Sequence, residues 1–253
     1  MEHGAITSYI DVAQVALYVF WAFFAALIYY LHRENKREGY PLESDRSPYI
    51  TVQGYPPVPE PKEFRLQDGT TVYAPRKEAP ETVNGTPAFD FPGAPIEPNG
   101  DPMTAGVGPG AYARRADKPD VMADGRPRIV PLRVDGEYSV ANEDPDPRGF
   151  AVIGADGAKA GTVSEVWVDR AEVLFRYFEV DIGGRTVMLP VNFARVDAEG
   201  GTIGVASILA AQFAGVPGIK SRDTVTLLEE ERIMAYYGAG TLYATPSRAE
   251  PLL

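Results

Sequence analysis

Three regimes of hydrophobic and polar patterning follow one another along this chain of 253 residues. From Val12 to Leu31 the run VAQVALYVFWAFFAALIYYL holds no charge and a single amide, Gln14. At a rise of about 1.5 Å per residue such a run crosses a hydrocarbon layer of about 30 Å. A core helix of a soluble protein keeps a polar stripe, whereas this segment is apolar on every side. The pattern predicts a membrane-spanning helix over 12–31, with residues 1–11 on one side and the remainder of the chain on the other.

The second regime, 32–110, is set by proline. Between Pro41 and Gly110 stand 14 of the 23 prolines, and a residue with fixed φ and no amide donor excludes regular helix and central sheet. The segment is expected to be extended. Tyr49, Ile50, Phe64, Leu66, Val72, Tyr73, Phe89 and Phe91 give it apolar side chains that a solvated linker does not need, so it is expected to lie against another protein surface. Phe64-Arg65-Leu66, then Asp68-Gly69, then Thr71-Val72-Tyr73 reads as a small hairpin.

From about Ile129 the period becomes that of strands broken by turn signals. Strands are expected over 129–134, 150–153, 162–168, 173–182, 186–189, 193–196 and 202–206, separated by Asp156-Gly157, Gly183-Gly184 and Gly200-Gly201. This spacing predicts a small antiparallel barrel or sandwich in 111–253. Ser207 is expected to cap a short turn through Phe213 that ends at Gly215 and Pro217. Thr226-Leu227-Leu228-Glu229 has the capping-box spacing and predicts a closing C-terminal helix, whose acidic start, Glu229-Glu230-Glu231, suits the positive end of the helix dipole.

Charge and composition narrow the function. A net charge of -11 argues against a phosphate-gripping nucleic-acid surface. No cysteine is present, and the two histidines, His3 and His32, both lie near the N-terminus. Thiolate chemistry, a histidine-based triad and a histidine-rich zinc site in the β region are thereby excluded, and no glycine cluster has the strand-loop-helix setting of a phosphate-binding loop. Glu2 and Asp11 precede the apolar run and Tyr29-Tyr30-Leu31 close it, unlike a cleaved leader. Arg33, Lys36 and Arg37 follow, which by the positive-inside rule puts the C-terminal part in the cytoplasm. Tyr30, Arg33, Lys36 and Arg37 are the residues expected at the lipid interface.

One polar group stands out. A turn after Val168 folds the next strand back and brings Asp169, Glu172 and Arg176 near one another. Clustered carboxylates raise one another's proton affinity while a guanidinium lowers it. Such a group can relay protons or serve as a surface ion pair.

Taken with these features, the strings Arg37-Glu38-Gly39-Tyr40-Pro41-Leu42-Glu43, Gly100-Asp101-Pro102-Met103, Gly106-Val107-Gly108-Pro109, Trp167-Val168-Asp169, Phe213-Ala214-Gly215-Val216-Pro217 and Thr226-Leu227-Leu228-Glu229-Glu230 resemble the H subunit of the photosynthetic reaction centre of purple bacteria. The resemblance covers essentially the whole chain. It implies a single N-terminal transmembrane helix followed by a mainly-β domain, a small antiparallel PRC-type β-barrel with a C-terminal helix. It implies a non-catalytic subunit that caps the cytoplasmic side of the L and M subunits in the intracytoplasmic photosynthetic membrane. Membrane lipids, light-harvesting ring polypeptides and a cytochrome subunit are further candidate partners. Bacteriochlorophyll, bacteriopheophytin, quinones and non-haem iron are expected in the complex, none ligated by this chain.

By the same resemblance, Asp169, Glu172, Arg176 and Asp124 are expected on a proton pathway to the secondary quinone. The competing interpretation is a membrane-tethered PRC-barrel module that recruits a soluble partner. One departure matters: some family members carry two histidines just after the Asp-Gly that corresponds to Asp124-Gly125, a proton entry and inhibitory metal site, whereas here the segment is Arg126-Pro127-Arg128. Arginine does not exchange protons near neutral pH. Added zinc is therefore expected to leave quinone-protonation kinetics nearly unchanged; strong inhibition traced to this chain contradicts the assignment.

Overall fold

The computed structural model describes residues 6–7, 9–44, 47–76, 82–91 and 93–249, with backbone alone at 43–51. Much of the expected 1–11 segment and the side chains of Tyr49 and Ile50 lie outside the described residues. The chain divides into two compact units, 1–81 and 82–253.

The first unit begins with α1, Val12–Asn35. The Asp11 carboxylate accepts the Gln14 amide N–H at 2.7 Å, and the Gln14 side chain donates to Tyr18 Oη one turn on at 3.0 Å. The single amide in the apolar run is thus satisfied inside the helix, as a hydrocarbon environment requires. No residue of α1 is buried by protein, in keeping with a surface whose solvent is lipid. The helix continues one turn beyond Leu31, bringing His32 and Arg33 to its negative end, where cations are favoured.

After α1 the expected lipid-facing basic residues separate. Arg37 pairs with Glu34 at 2.8 Å and donates to the Glu60 carbonyl. Lys36 corrects the sequence-based expectation: it is 3 % exposed, and its Nζ donates to the carbonyls of Gln53 and Pro56, each at 2.7 Å, beneath the Tyr40 ring. An ammonium consumed by two backbone acceptors and an aromatic face is a fold-closing group, not a lipid contact. Tyr30 and Arg33 remain exposed.

The proline-rich stretch is less featureless than its composition suggests. Among the described residues it carries three two-stranded ribbons: β1 (Leu42–Ser44) with β2 (Ser47–Val52), β3 (Lys62–Arg65) with β4 (Thr71–Ala74), and β5 (Gly85–Pro87) with β6 (Ile96–Pro98). The β3–β4 hairpin is the one its sequence predicts, with Phe64 opposite Val72 and the Asp68 carboxylate accepting the Thr70 N–H at 2.9 Å. The other two likewise have only two strands, so every strand is an edge, and an edge tolerates proline.

The second unit is built on one mixed sheet. Its strands are β7 (Ile129–Pro131), β8 (Ala151–Ile153), β9 (Lys159–Asp169), β10 (Leu174–Asp181), β11 (Thr186–Pro190), β12 (Ala194–Asp197) and β13 (Thr202–Val205). The order is β11-β10-β9-β8-β13-β12, with β7 joining β9 beyond β8. All pairs are antiparallel except β8 with β13, which run parallel. The expected strand 129–134 stops at Pro131, and Leu132–Val134 forms a 3-10 turn. Long β9 serves β8 with its first half and β7 with its last three residues. Register shifts on β10 at Arg176 and on β9 at Ser164 coil the sheet, because an extra residue on one strand increases local twist.

Helix α2, Leu227–Tyr243, closes the core. Its capping box is formed as the spacing predicts: Thr226 Oγ1 accepts the Glu229 N–H at 3.1 Å and Glu229 accepts the Thr226 N–H at 2.8 Å. Tyr237, fully buried, meets Phe193 and Phe213 edge and face, and Trp167, Leu189, Ile203 and Ile208 complete the centre of the core. Ser207 does not cap the turn after it. The 3-10 helix Ala210–Gly215 starts from Leu209, whose N–H is held by Gln212 at 2.8 Å, because the helix begins two residues later than a Ser207 cap requires.

Backbone proximity fixes α2 in place. A Cβ on Gly240 would stand 2.3 Å from Ile208 Cγ2 and 2.5 Å from the Ser207 carbonyl. Gly240→Ala is therefore expected to destabilise the folded chain by about 1–3 kcal/mol, measured as a lower midpoint in chemical denaturation; an unchanged midpoint means that this contact is loose.

Candidate functional site

The sequence-singled carboxylates meet at the β9–β10 turn. Asp169 is the last residue of β9 and is wholly buried. Its Oδ1 accepts the backbone N–H groups of Ala171 at 3.0 Å and Glu172 at 3.2 Å, so one carboxylate oxygen shapes the turn itself. Val173 ends the turn with φ of 55°, a left-handed conformation that strains a β-branched residue. The turn tolerates this because Asp169 holds it from both sides, its carbonyl accepting the Val173 N–H at 2.8 Å.

Arg128 supplies the counter-charge. Its Nε lies 2.9 and 3.1 Å from the two Asp169 oxygens, and its Nη2 reaches Asp169 at 2.9 Å and Glu172 at 2.6 Å. Its Nη1 lies 3.5 Å from Asp120. The position follows from register: Ile129 pairs with Asp169 across β7 and β9, and Arg170 donates to the Arg128 carbonyl. The residue before Ile129 must then lie beside the turn. From sequence alone Arg128 read only as the loss of a proton-exchanging group; the pairing of two predicted strands was the signal that could have found it.

Arg176 completes the cluster from the opposite strand. Phe175 pairs with Val168 and Tyr177 with Trp167, so Arg176 is the extra residue of a bulge, the device by which a strand re-aims one side chain. Its Nε stands 3.3 Å from Asp169 but is buried without an aligned hydrogen bond. Two guanidiniums thus face one buried carboxylate. Burial alone would raise the Asp169 pKa, yet the Arg128 hydrogen bonds and the two amide donors outweigh it and hold the group below the ordinary carboxylate range. The clustering therefore leaves Asp169 ionised.

Asp124 sits apart. It is exposed in a tight turn, its carboxylate taken by its own neighbour Arg126 at 2.7 Å, and hydrogen bonds from the Arg126 amide and guanidinium lower its pKa. It makes no described contact with Asp169 or Glu172. Glu172, half exposed, has one oxygen on Arg128 and the other free for solvent.

A group that the sequence hid completes the site. Arg176 and Tyr177 line a cleft of about 540 Å³ with Arg115, Glu230 and Glu231. Tyr177 Oη donates to Glu230 at 3.0 Å. Burial pushes the Glu230 carboxyl above its ordinary range against the hydrogen bond from Tyr177 and the charges of Arg176 and Arg115, and burial and Glu230 together push up the Tyr177 phenol. Helix-dipole duty explained Glu230 from sequence, and only the packing of α2 on β10 reveals its partner. Among the described residues no group of three or more histidine, cysteine or carboxylate side chains is placed to hold a metal ion.

The chain combines a helix long and apolar enough to cross a membrane with a coiled β-domain that carries a buried ion-pair cluster at one turn, the pattern of a tethered β-domain. The comparisons with known proteins agree. The family model "Photosynthetic reaction centre, H-chain N-terminal region" matches residues 4–134, and the PRC-barrel domain matches 140–211. The chain belongs to the photosynthetic reaction centre H-chain family, and is an H subunit. Among the described residues one helix, α1, is long and apolar enough to cross a membrane, which fits a single-pass membrane protein of this family. It is also similar to an uncharacterized protein of Deinococcus radiodurans, 36% identical over 78 residues. That match spans 29% of this chain and 28% of the other.

Neutralising the buried carboxylate should expose its structural weight. Asp169→Asn leaves two guanidiniums short of their anion and is expected to cost roughly 3–5 kcal/mol of stability. Because the native pKa lies below the ordinary 3.8, the contribution of Asp169 is complete above that pH and is lost as pH falls through the lowered native value. Denaturation midpoints of the wild type and Asp169→Asn are expected to differ at pH 7 and to converge in acid; a gap that persists unchanged in acid assigns the loss to packing instead.

Proposed function

We propose that this H subunit caps the cytoplasmic side of the L and M subunits, steadies the quinone region and conducts protons to the secondary quinone. The observation that carries the reading is the β9–β10 turn, where one buried carboxylate of lowered pKa meets a surface acid and two arginines, one of which lines a cleft containing an acid of raised proton affinity. A relay needs groups that differ in proton affinity along a line, and a fixed field that keeps them in order. Asp169 anchors the two arginines. Glu172, with one oxygen in solvent, takes up the proton, and Glu230, hydrogen-bonded to Tyr177, holds it inside. Arg128 and Arg176 do not exchange protons near neutral pH; Arg128 lowers the proton affinity of Asp169, and Arg176 opposes the rise at Glu230.

Asp124 serves in this reading as an outer antenna, since its pair with Arg126 keeps an anion at the surface. Arg33, Lys36 and Arg37, counted on the unfolded chain, orient the helix with residues 1–11 outside and the β-domain in the cytoplasm. Tyr30 and Arg33 are the groups left exposed for lipid headgroups. Light-harvesting ring polypeptides and a cytochrome subunit belong to the same proposal as further neighbours, and the pigments, quinones and iron are held by L and M.

The test is made in the pigmented complex purified through a tag on this chain. Glu172→Gln and Glu230→Gln, each isosteric, are expected to slow the proton-coupled second electron transfer by about tenfold, a barrier increase of about 1.4 kcal/mol, while the first electron transfer keeps its rate. If both variants transfer the second electron at the wild-type rate, protons travel elsewhere and the cluster is structural.

A further inference from the structure

A second concave region of the 82–253 unit lies where β12, β13 and the C-terminal turn Pro246–Arg248 meet. It is a groove of about 520 Å³ walled by Phe193, Arg195, Gly204 and Arg248. An adjoining recess shares Phe193 and Arg248 and adds Ser207 and Thr241. The groove belongs neither to the β9–β10 turn nor to the Tyr177–Glu230 cleft.

Its electrostatics run against the rest of the molecule. In a chain of net charge -11, neither lining contains an aspartate or glutamate, and each includes arginine. Arg195 stands opposite Gly204 on the neighbouring strand, so no side chain fills the space before it. No ion pair or hydrogen bond engages its side chain among the described residues, whereas nine other arginines of this unit are paired with a carboxylate or bonded to a carbonyl. Arg248 donates to the carbonyls of Ser207 and Gly240 at 2.8 Å and of Ala206 at 3.0 Å. Those acceptors are neutral. They use three of the five N–H donors of a guanidinium and leave two, together with the whole positive charge.

One further group is unsatisfied. Ser207 Oγ, on a residue 5 % exposed, has no hydrogen-bond partner, and a buried hydroxyl left so costs stability unless something outside the chain completes it. Phe193, packed on Tyr237 with ring centres 5.5 Å apart, gives the groove a fixed wall. Two guanidiniums without a carboxylate partner at the groove, with an unpartnered hydroxyl in the recess beside it, match a ligand with several acceptor oxygens and a full negative charge.

We propose that this groove binds a phosphate oxyanion, held by Arg195 and Arg248 with Ser207 as an additional donor. Phosphate offers the planar pair of oxygens that a guanidinium engages through two parallel bonds. The group can arrive on a soluble phosphorylated compound or as the headgroup of an acidic phospholipid.

The two sources separate by titration calorimetry of the intact complex in an uncharged detergent. Sodium pyrophosphate serves as one probe, and dihexanoyl phosphatidylglycerol below its micelle concentration as the other. Saturable binding of pyrophosphate alone identifies a soluble ligand, and of the lipid alone a headgroup; binding of both establishes the shared phosphate chemistry. Arg195→Gln, an exposed change that removes no described internal bond, is expected to weaken binding by about tenfold, with Arg195→Lys recovering part of the loss and Ser207→Ala a smaller effect. Absence of saturable binding by either probe, or equal binding by wild type and Arg195→Gln, overturns the proposal.

Discussion

Burying one carboxylate without neutralising it is the constraint around which the β-domain is arranged. Asp169 has no access to water, and a lone charge there would be prohibitive. Each neighbouring element answers it. The 120–128 loop brings Arg128, the bulge on β10 brings Arg176, and the turn contributes two backbone amides. Remove the charge, and the loop loses its docking point, the bulge its purpose and the turn its grip on a strained Val173. The same anion holds Arg128 and Arg176 in place, so the stability of the turn and the chemistry proposed for it share one anchor.

What the sequence disclosed followed the strength of its local signals. The spanning helix was legible because twenty uncharged residues admit one physical reading, and the capping box at Thr226 because its two bonds need only a fixed spacing. The β3–β4 hairpin was legible for the same reason. Strand positions were mostly recovered from alternation and Gly-rich turns, but the parallel pairing of β8 with β13 was not, since strand order and direction are settled by packing between residues some fifty positions apart.

The candidate site divides in the same way. Asp169, Glu172 and Arg176 could be grouped because a tight turn makes them neighbours in sequence as well as in space. Arg128 lies 41 residues from Asp169 and Glu230 lies 53 from Tyr177, and nothing local marks either. Ser207 shows the opposite failure: a good capping residue by type stands two positions too early, and its hydroxyl is left for other use. Lys36 had the right chemistry for a headgroup, but two carbonyls about twenty residues onward claimed it first.

That capture of Lys36 separates two moments in the life of the chain. In the unfolded chain the ammonium is free and adds to the basic flank that follows the helix. Once the following loop has closed over it, the charge is withdrawn from the membrane surface, and Arg37 is largely cancelled by Glu34. A charge that stands in the open flank of the linear sequence becomes, after folding, a bolt inside the structure, and the folded protein displays less positive charge beside α1 than its linear sequence advertises.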